Sequence, residues 1–180
     1  AGFIVSNRVY RSPLRYFGEM GHMTVDQDGP LCYCGQRGCL DAIASDFSII
    51  THIRGLLQRG ADSMVLQLAG SLDKLNIEHV LQAASEKDRV CYKALSHAGL
   101  YLGIGISNII NMFGPEVIYM DGSLVSGSDG IVLDAIKRVI FQNSLNQLDK
   151  DFQIELLSDK HVALRGAAYL CIEKYLFASI

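Results

Sequence analysis

Two short, closely spaced stretches near the start of the chain decide its fold. The first is Gly18-Glu19-Met20-Gly21-His22, and the second is Cys32-Tyr33-Cys34-Gly35-Gln36-Arg37-Gly38-Cys39-Leu40-Asp41. Together they bring one imidazole and three thiols into a single loop region, and tetrahedral structural zinc sites commonly use that ligand set. Glycines among these residues let the backbone turn tightly enough to aim the sulfurs at one point. The sequence therefore predicts a zinc ion held by His22, Cys32, Cys34 and Cys39.

Two other interpretations of this cluster are weaker. The region could be a loop with free thiols and an unrelated histidine, which the close spacing disfavours. A catalytic zinc ion would need an open coordination position, and four protein ligands leave none. We therefore expect the zinc to be structural.

The composition of the chain limits the classes of protein to which it can belong. The chain has 180 residues, 49% of them apolar, with a net charge of -3, enough for one compact domain or one lobe of a larger protein. Its 16 lysines and arginines are scattered, so direct DNA binding by this stretch is not expected. The apolar stretches are too short and interrupted to predict a membrane span. Three of the five cysteines crowd into residues 32–39, which favours a metal site in the reducing cytoplasm over a disulfide framework.

Hydrophobic periodicity predicts an α/β layer architecture. Residues 2–5 and 9–11 are expected to pair as a hairpin about Asn7, and a chain that starts inside a hairpin suggests a longer protein. Predicted helices cover residues 40–59, 77–84, 88–112, 130–145 and 163–177, and predicted strands cover 116–120 and 152–156. Residues 61–75 are left unassigned. Glycines 99, 103 and 105 predict close packing of the longest helix, within the lobe or between subunits, with plain core packing favoured.

The two opening motifs resemble the signature of the ROK family of repressors and sugar kinases. In that signature a Gly-Glu-x-Gly-His element precedes a Cys-x-Cys-Gly-x-x-Gly-Cys-Leu-Glu element by this spacing. Weaker similarity continues through residues 42–45, 115–118 and 165–168. The resemblance implies that residues 1–180 form the C-terminal sugar-binding and oligomerisation lobe of an actin-like ATPase (ribonuclease H-like) fold with an inserted zinc loop.

The resemblance also implies a sugar site. Glu19 and His22 would contact sugar hydroxyls, and Asp41, which replaces the Glu that follows Cys-Leu in the family, would be a third contact. A carboxylate can accept two hydroxyl donors, and a zinc-bound imidazole can turn its second nitrogen toward a ligand. Asp41 could instead be an N-terminal cap of the next helix, and Glu19 an exposed loop charge.

The stretch before Glu19 departs from the family. Residues 12–17 lack the glycines that the family tends to have there, which puts the usual shape of the loop in doubt. Arg15 and Tyr16 are candidate ligand contacts, although a solvated side chain and a packed ring are favoured.

Three points bear on the choice between a regulator and a kinase. The family's catalytic Asp lies in the N-terminal lobe, so these residues alone are not expected to be an enzyme. Asp121 follows a predicted strand where kinases have Gly-Gly, and its carboxylate would repel a triphosphate, unless it merely caps the next turn. The Cys-Tyr-Cys-Gly form of the zinc loop also resembles the repressor branch.

We therefore interpret the chain as the effector lobe of a ROK-type repressor. It would sense a sugar or phosphosugar and form a homodimer or tetramer, and DNA would bind only through an N-terminal winged helix-turn-helix outside these residues. The alternative is the C-terminal lobe of an ATP-dependent ROK sugar kinase. A zinc-stabilised interaction module without a small ligand is a third possibility.

Overall fold

The elements alternate between helices and short strands. In the computed structural model the described residues are 1–14, 16–143, 152–157, 161–173 and 175. In chain order the elements are β1 (Ile4–Val5), β2 (Arg8–Val9), α1 (Leu40–Ala44), α2 (Asp46–Gln58), α3 (Val65–Ala69), α4 (Ile77–Ser85), α5 (Arg89–Phe113), β3 (Val117–Met120), α6 (Ser123–Ser126), α7 (Ile131–Asn143), β4 (Gln153–Leu156) and α8 (Val162–Ile172).

The long helix α5 is the centre of the packing. Its N-cap is Asp88, whose side chain accepts hydrogen bonds from the N–H groups of Val90 and Cys91. At the other end Gly114 takes the left-handed conformation that commonly closes a helix. Helix α5 packs most extensively against α7 and also contacts α1, α2 and α4. It therefore links the N-terminal region to the later α/β part.

Glycines make the contact between α5 and α7 unusually close. A Cβ atom built on Gly99 would lie 2.7 Å from the Cβ of Ala135, and one built on Gly103 would lie 2.6 Å from the Cβ of Val139. Only residues without a Cβ allow this approach. The predicted close packing of this helix is confirmed, and it takes place inside the lobe.

The hydrophobic core is aliphatic and surrounds α5. Its fully buried side chains come from several helices and are largest at Ile53, Val65, Val80, Leu95, Val132, Ile136 and Ile140. Burying such a side chain contributes about 1.5–3 kcal/mol relative to leaving it exposed. The core thereby fixes α1 and α2, which carry the C-terminal side of the cysteine-rich loop.

The strands form two small sheets. β1 and β2 pair in an antiparallel hairpin, as the sequence predicts, with Ser6 and Asn7 at positive φ in the turn. β3 and β4 pair in parallel, with Val117 opposite Gln153. Because parallel strands need a crossover, α6 and α7 lie between them along the chain. The predicted α/β class is confirmed.

The predicted single helix over residues 40–59 is wrong. Ser45 has φ -74° and ψ 157°, so the chain leaves the helical conformation between α1 and α2. Its hydroxyl accepts a hydrogen bond from the N–H of Ser48 and begins α2 as an N-cap. The apolar spacing continues through the break because Ala44 and Ile49 both face the same core.

Other boundaries agree to within a few residues. The unassigned stretch contains α3 and a short 3-10 turn, Leu72–Lys74. The predicted helices at 77–84, 88–112 and 130–145 correspond to α4, α5 and α7. The predicted helix at 163–177 corresponds in its first part to α8. The expected ends at residue 145 and Phe177 lie outside the described residues, as does Arg15. Tyr16 is 83% exposed rather than a packed ring.

Among the described residues, no helix combines the length and apolar character needed to cross a bilayer.

Candidate metal centre and the adjoining groove

The loop that carries the cysteines is held in shape by backbone hydrogen bonds. The N–H of Cys32 donates to the carbonyl oxygen of Gln36 at 2.7 Å, and the N–H of Gly38 donates to that of Pro30 at 2.9 Å. Gly38 has φ +69°, and a Cβ there would lie 1.5 Å from the carbonyl oxygen of Asp26. Only glycine can occupy this position. The loop therefore presents its three sulfurs from a defined backbone.

The structure brings the four predicted metal ligands together. One ligand atom from each of His22, Cys32, Cys34 and Cys39 lies within 4.8 Å of all the others. The Cys32 sulfur is 3.7 Å from Nδ1 of His22, and the sulfurs of Cys34 and Cys39 are 3.6 Å apart. Neighbouring ligands of a tetrahedral zinc ion, with bonds of about 2.0–2.3 Å, lie about 3.5–3.8 Å apart. The four residues could hold a metal ion, and the two distances of 3.6 and 3.7 Å match this spacing.

Burial and thiol pKa values differ around the cluster. Cys39 is fully buried, and desolvation raises the pKa of its thiol to about 12, with Cys34 and Cys32 adding to the effect. Cys34 is exposed, and a hydrogen bond from the backbone of Gln36 is the main cause of its lowered pKa. A bound cation would stabilise all three thiolates together, so metal uptake would release protons. Cys91 and Cys171 lie outside the cluster.

The three predicted sugar contacts lie in or beside two short helical turns. Glu19 is exposed and directly precedes the 3-10 turn Met20–His22. Asp41 is half-buried in the first turn of α1, and its Cβ would be 3.3 Å from a Cβ at Gly21. The glycine lets this helix turn pack against the backbone of the loop that carries His22. Cys39, not Asp41, is the N-cap of α1, so the capping interpretation of Asp41 is wrong.

The outer nitrogen of His22 faces a tyrosine. Its Nε2 lies 3.1 Å from the hydroxyl oxygen of Tyr33, and the two rings meet edge-on with centroids 5.1 Å apart. When Nδ1 serves as a metal ligand, the ring proton is on Nε2, which then donates to Tyr33. His22 therefore connects the metal cluster on one edge of its ring to an exposed hydroxyl on the other.

A groove lies next to Tyr33. It has a volume of about 790 Å³, and its lining includes Tyr33, Asp41, His52 on α2, and His97 and Tyr101 on α5. Of the three predicted sugar contacts, Asp41 lines this groove, and Glu19 and His22 are not among its lining residues. Tyr101 donates a hydrogen bond to a carboxylate oxygen of Asp26 at 3.1 Å, which fixes one wall. Hydroxyl, carboxylate and imidazole groups next to aromatic rings suit a polyhydroxylated ligand.

Sequence reasoning missed Tyr33 and the groove wall. A hydroxyl-bearing residue between two metal-ligating cysteines was the available signal for Tyr33. No local signal connects His97 and Tyr101 on α5 with Asp26 in the loop, because tertiary packing alone brings them together.

Asp121 follows β3 as the sequence predicts. The next helix, α6, begins at Ser123 with Gly122 as its N-cap at φ 129°, so Asp121 is not that cap. Its proposed effect on nucleotide binding stays a prediction.

Comparison with known proteins places these features in a family. The sequence model of the ROK family matches residues 1–174. A xylose repressor of Caldicellulosiruptor bescii is 31% identical over 91% of this chain and 41% of its own length. An N-acetylglucosamine repressor of Escherichia coli O6:H1 is 32% identical over 93% of this chain and 40% of its own length. The chain therefore spans about two fifths of these curated relatives.

Solved structures agree with the sequence relatives. A ROK family transcriptional regulator, described as a homologue of the E. coli MLC protein, superposes with a TM-score of 0.75 at 29% identity over 86% of this chain and 37% of its own. A ROK family glucokinase from Streptomyces griseus, in complex with glucose and AMPPNP, gives 0.81 at 25% identity over 94% of this chain and 55% of its own. The fold is that of the actin-like ATPases, as the motifs predict. With the family sequence model matching nearly its whole length, the chain belongs to the ROK family.

Proposed function

We propose that this chain is the sugar-sensing lobe of a ROK-type transcriptional regulator of carbohydrate metabolism, stabilised by a structural zinc ion. The observation that carries the proposal is the position of His22. Its Nδ1 lies 3.7 Å from the Cys32 sulfur, and its Nε2 lies 3.1 Å from the hydroxyl oxygen of Tyr33, which lines the groove together with Asp41. An ion in the cluster would fix the imidazole that meets the ligand, so loop stability and ligand affinity would be coupled.

Zinc is the metal that the donor set favours. Three thiolates and an imidazole are soft or borderline ligands, which select zinc over magnesium or calcium. His22, Cys32, Cys34 and Cys39 would hold it with no position left for water. Zinc would supply charge neutralisation for the thiolates and rigidity for the loop.

Sugar recognition would use Glu19 and Asp41 as acceptors and His22 as a donor. The carboxylates would accept hydrogen bonds from adjacent sugar hydroxyls, and Nε2–H of His22 would donate to a third oxygen. Asp41 reaches one methylene less far than the Glu of the family motif. Its shorter side chain would tune which sugar or phosphosugar fits.

The repressor interpretation draws on the relatives. Proteins named xylose repressor and N-acetylglucosamine repressor align over 91% and 93% of this chain. In the proposal, a winged helix-turn-helix outside these residues binds DNA, in a cytoplasmic homodimer or tetramer. Sugar binding would shift the equilibrium between two arrangements of the lobes and so change the spacing of the DNA-binding modules.

A ROK sugar kinase is the second candidate. It is favoured by the glucokinase similarity, which has a TM-score of 0.81. Asp121 disfavours it, because a carboxylate beside a triphosphate is repulsive. In the regulator, AMPPNP titrated with magnesium should give no binding heat, and ATP with a sugar should give no ADP. ADP formation would favour the kinase.

The direct test of sugar sensing is calorimetry. The zinc-loaded intact protein is titrated with D-xylose, D-glucose and N-acetyl-D-glucosamine. We expect at least one sugar to bind. Glu19→Gln should lower the affinity for that sugar about 10-fold or more, because a hydrogen bond to a charged group contributes about 1.5–3 kcal/mol.

The matched control is Glu78→Gln, which changes an exposed glutamate in the first turn of α4. It should leave sugar affinity unchanged. If none of these three sugars binds, and neither glucose 6-phosphate nor N-acetylglucosamine 6-phosphate binds, while zinc is retained and the protein is folded, an interaction module without a small ligand is the better account.

A further inference from the structure

The hydroxyl of Tyr33 occupies the outer hydrogen-bonding position of His22. Its oxygen lies 3.1 Å from Nε2, and the tyrosine ring meets the imidazole at 71°. An imidazole nitrogen forms one strong hydrogen bond along its lone-pair or N–H direction. A ligand hydroxyl that is to bind Nε2 must therefore replace the hydroxyl of Tyr33.

The backbone at Tyr33 is held by a hydrogen-bonded turn, while its side chain is largely exposed. Cys32 and Gly35 close a tight turn, since the N–H of Gly35 donates to the carbonyl oxygen of Cys32 at 3.0 Å. The Tyr33 side chain itself is 82% exposed. Exposed side chains change rotamer within picoseconds to nanoseconds. The ring can thus leave His22 without moving the sulfur ligands on either side of it.

The Tyr33 side chain shares the groove with one of the carboxylates proposed to hold the sugar. Tyr33 and Asp41 both line this space of about 790 Å³. A ligand that enters the groove would therefore meet the tyrosine ring beside Asp41.

We infer that Tyr33 is a displaceable plug of the ligand site: its hydroxyl takes the place of a sugar hydroxyl on Nε2 of His22, and ligand entry rotates the ring away. The inference rests on the proposed sugar site and adds a positioning residue to it. No covalent step is involved. One hydrogen bond is exchanged for another.

A plug of this kind lowers apparent affinity. When only a fraction of the molecules has Nε2 free, the apparent dissociation constant rises by the reciprocal of that fraction. Removing one net hydrogen bond of ordinary strength changes that fraction about 3- to 10-fold. Tyr33→Phe keeps the ring but removes the hydroxyl. We expect it to bind sugar about 3- to 10-fold more tightly than the wild type.

The experiment compares Tyr33→Phe and Tyr92→Phe with the wild type as zinc-loaded intact protein. Tyr92 is a half-exposed tyrosine on α5, away from the cluster and the groove. Each protein is titrated with D-xylose, D-glucose and N-acetyl-D-glucosamine by calorimetry, and zinc content is measured on the same samples. The control should match the wild type in affinity and zinc content.

A second readout does not depend on sugar. In the zinc-loaded protein, Nε2–H of His22 is seen by nitrogen-edited NMR, and its exchange with water reports whether an acceptor covers it. Tyr33→Phe should make this proton exchange faster, and Tyr92→Phe should not. Equal exchange in the wild type and Tyr33→Phe would overturn the inference.

The sugar outcomes separate the inference from the proposed function. Tighter binding by Tyr33→Phe supports both, including the case in which only this variant binds measurably. Wild-type binding with unchanged or weaker binding by Tyr33→Phe overturns the plug and leaves sugar sensing intact. If neither protein binds any of the three sugars at full zinc occupancy, the plug and sensing of these sugars fail together.

Discussion

The contact between α5 and α7 makes a specific prediction about Gly99. In Gly99→Ala the new Cβ would lie 2.7 Å from the Cβ of Ala135 and 2.8 Å from the carbonyl oxygen of Val132. Both distances are shorter than the contacts that Cβ atoms make in folded proteins, and the oxygen of Val132 belongs to the backbone of α7. The methyl group fits only if the two helices move apart.

The expected magnitude is a balance of two effects. Alanine is favoured over glycine inside a helix by about 1 kcal/mol. Overpacking a close-packed core typically costs about 1–3 kcal/mol, and two contacts below 3.0 Å place this site at the upper end. We therefore expect Gly99→Ala to lower the free energy of unfolding by about 1–2 kcal/mol net.

Gly166→Ala is the matched control. Gly166 lies in α8, and among the described residues outside its own helical turns a Cβ there would meet no atom within 4 Å. This variant should be neutral or gain up to about 1 kcal/mol. Urea unfolding of the zinc-loaded protein, followed by circular dichroism, measures both variants. The packing argument is refuted if Gly99→Ala is as stable as Gly166→Ala.

Two further predictions concern polar contacts that fix the helices around the site. Asp88→Asn should lower the free energy of unfolding by about 1–2 kcal/mol at pH 7, because an amide nitrogen cannot accept the hydrogen bonds that Ser63 and Met64 donate to the carboxylate. Desolvation opposes ionisation, but hydrogen bonds from Cys91, Ser63 and Met64 lower the pKa of Asp88 on balance. The Asp88 carboxylate therefore contributes its full stability above the ordinary aspartate pKa of about 4, and this contribution is lost as the pH falls through the lower pKa of the folded state. The urea midpoints of the wild type and Asp88→Asn should thus converge in acid. A difference in midpoint that does not change with pH would contradict this. Arg54→Met should cost about 1–3 kcal/mol, since the guanidinium donates to three backbone carbonyls of the turn after α3, and Arg54→Lys should recover only part of that loss in the same urea experiment.

The cluster of candidate metal ligands could be predicted from sequence because its determinants are local. His22 and the three cysteines lie close along the chain, and the glycines between them allow the backbone to turn tightly. The long helix α5 was equally predictable, since its apolar positions recur over many turns. Asp88 and Gly114 mark its two ends with residues that favour those positions.

Other features depend on contacts that no short window contains. The apolar period runs through Ser45, so it cannot show that the serine hydroxyl ends one helix and begins another. Helix α3 has only five residues and depends on packing against α4. Tyr33 and His22 meet across a folded loop, and their hydrogen bond depends on the shape that the backbone hydrogen bonds give this loop.

The position of Asp41 relative to the start of α1 could not be predicted from residue preferences alone. Aspartate near the start of a helix is commonly the cap, yet here Cys39 holds that position and Asp41 is in the first turn. There its charge favours the helix dipole while its side chain remains available to the groove. Only the position of the first helical residue distinguishes the two roles.

The central claim is that His22, Cys32, Cys34 and Cys39 bind one structural zinc ion. Elemental analysis of protein purified under reducing conditions and dialysed without metal tests it most directly. The account predicts one zinc per chain in the wild type, a large loss of zinc in Cys39→Ser, and full occupancy in Cys91→Ser, which alters a buried thiol outside the cluster. Wild-type protein that is folded and contains no zinc, or Cys39→Ser that retains all of it, would contradict the account.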